Sequence, residues 1–158
     1  MSSCPVQVLE SKRALLHQPV SLDRFVPFPA ASRNPMALLA DDDPDMLLLA
    51  RMALDPHRIT VHSAANGELA LAYLRARKYA LVLLDLGLPD MNGLEVLNEL
   101  RDGNAKNEVP VLILTGDGST DAMARSFGAG AQEFVMKPFN LQELGLRASR
   151  LIDPRHRR

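Results

Sequence analysis

Apolar residues fall into short blocks along most of the chain, and these blocks alternate with stretches of helical pattern. Five runs of four to six mainly apolar or β-branched residues predict strands at 36–40, 58–62, 79–84, 109–114 and 133–136. Helices are predicted at 44–54, after Asn66-Gly67 to about residue 76, and at 94–101, 120–127 and 141–151. Strands that alternate with helices in this way predict a doubly wound α/β domain, with helices on both faces of a parallel sheet.

Two of the runs, YALVLL at 79–84 and VPVLIL at 109–114, are apolar at almost every position. Strands of this composition are buried on both faces of a parallel sheet. Ligands of such sheets bind beyond the carboxyl ends of the strands, where the strand order reverses. The residues that directly follow each run are therefore the candidates for chemistry.

The candidate polar side chains follow the first, third, fourth and fifth runs. Asp41 and Asp42 follow the first run, and Asp85 follows the third. Thr115 and Lys137 follow the fourth and the fifth. Clustered carboxylates repel one another unless a cation compensates, and their oxygens suit Mg²⁺ with its remaining waters. A phosphoryl group would give the set complementary roles: attack by a carboxylate, a hydrogen bond from the hydroxyl, and charge neutralisation by the ammonium and the metal.

Four segments carry a resemblance to a known family, the receiver domain of two-component response regulators. They are LLADDDPD at 38–45, LVLLDLGLPDMNGLEVL at 81–97, VPVLILTG at 109–116 and GAGAQEFVMKPF at 128–139. All four occur in the family's order, each after a predicted strand, and together they cover roughly residues 36–152. The resemblance implies a flavodoxin-like (βα)5 fold with a central five-stranded parallel sheet.

The resemblance also implies a set of site residues. Asp85 would be the phospho-acceptor, and Mg²⁺ or Mn²⁺ would be the cofactor. Asp42 would bind the metal directly, Asp41 would bind it through water, and Asp85 would also be a ligand. The backbone carbonyl of Gly87 would complete the protein's share of the coordination.

Further positions match the family's switch and catalytic residues. Thr115 would be the hydroxyl that moves toward the phosphoryl group, and Phe134 falls where the family has its rotating aromatic side chain. Lys137 would contact a phosphoryl oxygen, and the Lys137–Pro138 peptide bond is expected to be cis.

Other polar residues nearby have simpler interpretations. Asp43 is interpreted as a helix cap ahead of Pro44. Asp90 and Asn92 lie in a segment rich in Pro and Gly and are interpreted as turn residues. Phe134 fits a core position as well as a switch. No pair of histidines has the spacing of metal ligands, and the four are His17, His57, His62 and His156.

Composition changes outside the regular part of the chain. Residues 1–35 hold five of the eleven prolines and are interpreted as a flexible N-terminal extension, in which 6–17 could form a short helix. Residues 36–152 form the predicted domain and carry 16 acidic and 11 basic residues, a net charge of −5 that argues against nucleic acid as its ligand. A short basic tail, 153–158, follows. The single cysteine, Cys4, excludes an intramolecular disulfide framework.

The resemblance implies a signalling protein that catalyses only its own phosphorylation and dephosphorylation. Expected partners are a sensor histidine kinase or a histidine phosphotransfer protein, together with an unidentified downstream protein. Only six residues follow Ile152, so we expect a single-domain regulator that signals by protein contact or phosphorelay and does not bind DNA directly. No run approaches the roughly 18 apolar residues of a membrane span. We expect a cytoplasmic protein that is a monomer or a weak phosphorylation-dependent dimer.

The first predicted helix is more apolar than one inward-facing stripe requires. We expect part of its surface, including Leu48 and Met52, to dock a helical kinase or phosphotransfer domain.

Other functional classes fit less well. Phosphatases that form an aspartyl phosphate have D-x-D at the nucleophile, whereas Gly87 occupies the second position in this chain. The glycine motifs of dinucleotide-binding and P-loop proteins are absent from the sequence. A receiver fold that acts as an interaction module without phosphorylation remains the alternative hypothesis.

Overall fold

A computed structural model of the chain describes residues 34–102, 109–153 and 155. The strands are β1 (Met36–Ala40), β2 (Thr60–Ala64), β3 (Leu81–Leu84), β4 (Val111–Thr115) and β5 (Glu133–Met136). The α-helices are α1 (Pro44–Leu54), α2 (Gly67–Ala76), α3 (Gly93–Asp102), α4 (Thr120–Gly128) and α5 (Leu141–Ile152).

The five strands form one parallel sheet in the order β2-β1-β3-β4-β5. The predicted doubly wound α/β fold is therefore confirmed. The order reverses next to β1, which lies between β2 and β3. Ala40, the last residue of β1, pairs with Leu84, the last residue of β3. This register places the residues that follow β1 and β3 side by side at the edge where ligands bind in such sheets.

The core fills both faces of the central strands. Every residue of β3 and β4 is buried, as their continuous apolar composition predicts. On one face, Leu39, Leu83 and Leu114 pack in the same cluster as Leu54 of α1 and Leu144 of α5. These helices and strands form a rigid base beneath the carboxyl edge of the sheet.

The second strand begins two residues later than the sequence pattern predicts. A 3₁₀ turn at Asp55–His57 follows α1, and Arg58 closes it in the left-handed region with φ of 56°. The amide of Ile59 then donates to the carbonyl of Leu54, so these residues complete the turn and do not pair with β1. The β-branched pattern at 58–62 predicted the strand correctly, but the turn closes in a backbone conformation that the pattern does not reveal.

Other boundaries differ by one or two residues. The buried strands β3 and β4 begin at Leu81 and Val111, each two residues after the start of its predicted run. The prediction that Asp43 caps α1 is confirmed, because its carboxylate accepts a hydrogen bond from the Asp45 amide at 2.9 Å. The short helix considered at 6–17 and Cys4 lie outside the described residues.

One histidine is part of the core. His62 is buried on β2, its Nδ1 lies 2.6 Å from the hydroxyl of Tyr79, and its ring lies 4.3 Å from that of Tyr73. Burial lowers the pKa of His62, and the positive charge of Arg77 lowers it further. No helix among the described residues has the length and apolar character needed to cross a membrane.

A glycine allows α1 and α5 to approach closely. A Cβ atom on Gly145 would overlap the backbone carbonyl oxygen of Ala53 and would lie 2.7 Å from Nε2 of His57. The histidine side chain can move away, whereas the backbone of α1 cannot move without disturbing the core. Gly145 therefore fixes the distance between these two helices.

We predict that Gly145→Ala destabilises the protein. Alanine should gain up to about 1 kcal/mol of helix propensity, but overpacking against backbone should cost about 1–3 kcal/mol. The net loss should appear as a lower melting temperature. Gly128→Ala is the matched control, since a Cβ there meets no atom within 4 Å; it should be neutral or stabilising. Equal melting temperatures for the two variants would show that Gly145 does not limit the approach of α1 and α5.

Candidate functional site

The residues after β1 form a tight acidic turn. The Asp41 carboxylate accepts a hydrogen bond from the Asp43 amide at 2.9 Å, and Asp43 in turn caps α1. These bonds direct the Asp41 side chain into the sheet edge, where it is buried, while Asp42 remains exposed. The turn thus presents one buried and one accessible carboxylate.

The third carboxylate comes from the end of β3. Asp85 is held by a hydrogen bond from its own amide to the carbonyl of Ala40 at 3.0 Å, and its Oδ1 accepts from the Gly87 amide at 3.1 Å. Carboxylate oxygens of Asp41, Asp42 and Asp85 all lie within 4.8 Å of one another. Asp42 and Asp85, which are 43 residues apart in sequence, are therefore brought together by the parallel register of β1 and β3.

Lys137, which directly follows β5, supplies the compensating charge. Its Nζ lies 2.6 Å from Oδ2 of Asp41 and 3.0 Å from Oδ2 of Asp85. Burial raises the pKa of Asp41, and the hydrogen bond from Lys137 offsets part of that rise. Burial alone would lower the pKa of Lys137, but its bonds to the two carboxylates raise it above the usual value. Lys137 is therefore charged at neutral pH.

The donor set fits a divalent cation. Three carboxylates and one ammonium leave a formal charge of −2 within this cluster. All the side-chain donors are hard oxygens, and the exposure of Asp42 leaves room for water. Among the described residues, this is the only group of three or more His, Cys, Asp or Glu side chains arranged to hold a metal ion, and none of the histidines is in it.

The remaining predicted residues, Thr115 and Phe134, lie on β4 and β5. Thr115 is buried at the end of β4, and its carbonyl accepts from the Lys137 amide at 2.7 Å. The Thr115 hydroxyl accepts a longer bond, 3.3 Å, from the Asp117 amide. Phe134 is half-buried on β5, where it pairs with Ile113. The Lys137–Pro138 peptide bond is cis, as expected.

The loop from β3 to α3 includes Asp85 and folds back on itself. Gly87 and Asn92 form an antiparallel bridge, and the Gly93 amide donates to the carbonyl of Leu86 at 2.9 Å. A Cβ atom on Gly93 would overlap the carbonyl oxygen of Asp85. Glycine is required there because α3 begins in contact with the Asp85 backbone.

Asp90 has a role that the sequence analysis missed. The sequence predicts Asp90 as a turn residue of this loop and does not predict its contacts with another helix. Its two carboxylate oxygens accept hydrogen bonds from the amides of Gly67 and Glu68, at 2.8 and 2.9 Å, at the start of α2. Asn92, also predicted as a turn residue, accepts from the Leu94 amide at 2.9 Å and so caps α3.

Comparisons with known proteins agree with this architecture. The family model of the response regulator receiver domain matches residues 37–149. The transcriptional regulatory protein SrrA of Staphylococcus aureus is 33% identical over 115 residues, a match that covers 73% of this chain and 46% of SrrA. The chain therefore spans about half the length of the curated relatives that it matches.

Solved structures show the same similarity. The receiver domain of response regulator 1452 from Francisella has a TM-score of 0.70 and 28% identity, covering 75% of this chain and 97% of that one. A CheY-like response regulator receiver domain protein from Methanospirillum hungatei has the same TM-score, 0.70, and the same identity, 28%. That match covers 76% of this chain and 94% of the other.

We predict that Lys137→Met destabilises the protein in the absence of divalent cations. The side chain of Lys137 is 20% exposed and that of Asp41 is 1% exposed. The loss at neutral pH should therefore be about 2 kcal/mol, below the ~3–5 kcal/mol of a fully buried pair. Added Mg²⁺ should restore part of this stability, because it supplies the missing positive charge.

The effect should depend on pH in a defined direction. Without the ammonium, the folded-state pKa of Asp41 rises further above the usual value of an aspartate. Such a carboxyl favours the folded state below its unfolded pKa, and that contribution is lost as the pH rises through the folded pKa. The difference from the wild type should therefore widen from about pH 4 toward neutrality in urea denaturation. Arg75→Met is the control, since Arg75 pairs with Glu99 at 3.0 Å on the exposed surface; a similar loss there would contradict the prediction.

Proposed function

The chain belongs to the family of response regulator receiver domains, and from this membership we propose that Asp85 accepts a phosphoryl group from a phosphohistidine of a partner protein. The observation that carries this proposal is the convergence of three carboxylates and one ammonium at the end of the parallel sheet. Such a cluster is costly to assemble without a function that uses its charge.

The proposed reaction is a direct phosphoryl transfer. An oxygen of the Asp85 carboxylate forms a bond to phosphorus while the bond from phosphorus to the histidine nitrogen breaks. The bonding electrons of that second bond remain on the imidazole nitrogen. Hydrolysis of the resulting acyl phosphate returns the carboxylate and releases inorganic phosphate. The protein thus catalyses only its own phosphorylation and dephosphorylation.

The neighbouring residues have complementary roles in this proposal. Asp41, Asp42, Asp85 and the carbonyl of Gly87 would hold Mg²⁺ or Mn²⁺, which would neutralise negative charge on the phosphoryl oxygens. Lys137 would contact a phosphoryl oxygen, a role supported by the 3.0 Å distance between its Nζ and Oδ2 of Asp85. Thr115 is buried at the end of β4, and its hydroxyl would donate a hydrogen bond to a phosphoryl oxygen.

We propose that phosphorylation changes the surface formed by α4, β5 and α5. Thr115 would move toward the phosphoryl group and the packing of half-buried Phe134 would change, which biases the surface between two arrangements. Met123, Phe127 and Met136 are exposed on α4 and β5, so this surface offers apolar contacts to a downstream protein or to a second copy in a weak dimer. The predicted domain carries a net charge of −5, which favours a protein over DNA as the direct contact.

The exposed part of α1 is the proposed docking site for the phosphohistidine partner. Leu48 is 59% exposed and Met52 is 53% exposed, although both are large apolar residues. They are four residues apart, so they lie on one face of the helix. That face begins next to the acidic turn at 41–43, which suits a cytoplasmic helical kinase or phosphotransfer domain whose histidine must reach Asp85.

We predict that the protein incubated with Mg²⁺ and acetyl phosphate gains the mass of one phosphate. Asp85→Asn should abolish this gain, because an amide cannot act as the nucleophile, and a chelator should suppress it. Asp121→Asn, an exposed carboxylate of α4, should leave it unchanged. An unchanged mass for the wild-type protein would favour the alternative, a receiver fold that acts by interaction alone.

A second prediction separates docking from chemistry. Leu48→Lys with Met52→Lys should slow phosphoryl transfer from a phosphorylated histidine phosphotransfer protein by at least about tenfold, as expected when a central apolar contact is lost. Uptake from acetyl phosphate should not change, because the small donor needs no docking surface. Equal slowing with both donors would show that the substitutions damage the site and would remove the support for α1 as the docking face.

A further inference from the structure

The loop that carries Gly87 is attached to a helix that contributes no residue to the acidic cluster. Asp90 lies between Pro89 and Met91 in this loop, and its carboxylate binds the amides of Gly67 and Glu68. The bonds join segments that are 22 and 23 residues apart in sequence. Asp90 therefore makes a tertiary contact between the β3–α3 loop and the start of α2.

Asp90 supplies hydrogen-bond acceptors for the first two amides of α2, those of Gly67 and Glu68. The first amides of a helix have no partner within the helix. The side chain of Asn66 accepts a hydrogen bond from the Leu69 amide at 2.8 Å, as an N-cap residue ordinarily does. The Asp90 carboxylate accepts hydrogen bonds from the amides of Gly67 and Glu68, which precede Leu69. Its negative charge lies at the helix N-terminus, where the helix dipole favours an anion. Both oxygens of Asp90 and both amides of α2 therefore have hydrogen-bond partners, which stabilises the contact between the loop and the helix.

A second contact reinforces the same attachment. Met91 packs so closely against Gly67 that a Cβ on this glycine would overlap Cγ of Met91. The neighbouring residues of the loop are fixed by the Gly87–Asn92 bridge and the bond from the Gly93 amide to Leu86. The loop is therefore a closed unit, and the contacts of Asp90 and Met91 attach it to α2.

We propose that Asp90 is a positioning residue. It holds the β3–α3 loop so that the Gly87 carbonyl and the Asp85 carboxylate could bind the same metal ion. The inference rests on the proposed function, since it concerns the same site. Asp90 is not one of the three grouped carboxylates, which are those of Asp41, Asp42 and Asp85. Release of its two bonds would free the side of the loop that faces α2, and the loop on which Gly87 lies would then move relative to Asp41 and Asp42.

The test uses the full chain and compares Asp90→Ala with Asp90→Asn and Asn66→Ala. Asn66→Ala is the matched control, because it removes a cap from the same helix without touching the loop. The variants are compared by hydrogen exchange, without metal, of the amides between 86 and 93 (Pro89 has none). They are also compared by the Mg²⁺ concentration that half-saturates the shift of the Gly87 amide resonance, and by the rate of phosphate uptake from acetyl phosphate. Melting temperatures show how far each variant destabilises the fold.

Asp90→Ala should speed exchange throughout 86–93 and raise the half-saturating Mg²⁺ concentration by about tenfold, the usual effect of losing a residue that orients a metal ligand. Asp90→Asn should lie between, because its one oxygen keeps one of the two bonds. Asn66→Ala should lower the melting temperature but leave the Mg²⁺ midpoint unchanged. At saturating Mg²⁺, the Asp90 variants should recover most of the rate of phosphate uptake.

Two results would overturn the inference. An unchanged Mg²⁺ midpoint in Asp90→Ala would show that the loop holds its position without the cap. An equal shift in Asn66→Ala would show that the effect comes from the stability of α2 alone. Failure of the proposed function is a different result: the wild-type protein would then take up no phosphate, while loop exchange and Mg²⁺ binding would still report on Asp90.

Discussion

The arrangement of the site depends on one ion pair network, the Lys137 ammonium between Asp41 and Asp85. Two carboxylates at the end of a buried sheet repel each other and lose hydration, and burial raises the pKa of Asp41. The ammonium from the end of β5 compensates both through short contacts. Its cost of burial is offset by the same contacts, which is why the pKa of Lys137 is raised although burial acts in the opposite direction. A charged cluster can therefore exist at this edge before any ligand binds.

The backbone makes that network possible. Parallel pairing aligns the ends of β1 and β3, so Asp41 and Asp85 leave the sheet as neighbours. Caps then fix the direction of each turn: Asp43 holds the start of α1, and Asn92 holds the start of α3. Gly93 permits α3 to begin against the Asp85 carbonyl. The site is thus built on strand ends and helix starts, where the surrounding core limits movement.

The sequence predicted the parts of this arrangement that follow from simple periodicity. Continuous apolar runs marked β3 and β4, and among the polar residues that directly follow the runs, three aspartates and Lys137 lie together. The start of β2 was wrong by two residues because Arg58 adopts a left-handed conformation that no hydrophobic pattern encodes. The role of Asp90 was missed for another reason. An aspartate in a Pro/Gly turn looks like a local turn residue, and its actual partners are amides of a distant helix.

The carboxylates of the site and the residues of the proposed switch lie on different strands. Asp41 and Asp85 are fixed by backbone amides, by Lys137 and by the packing of β1 and β3 in the middle of the sheet. Thr115 and Phe134 lie toward the β5 edge, where the threonine hydroxyl accepts a long 3.3 Å bond from Asp117 and the aromatic ring is half-buried. A new negative charge on Asp85 would disturb the balance that Lys137 maintains, and the weakly held side of the sheet would respond at the lowest cost. The proposed signal therefore travels toward α4, β5 and α5, because Lys137, which contacts both carboxylates, directly follows β5.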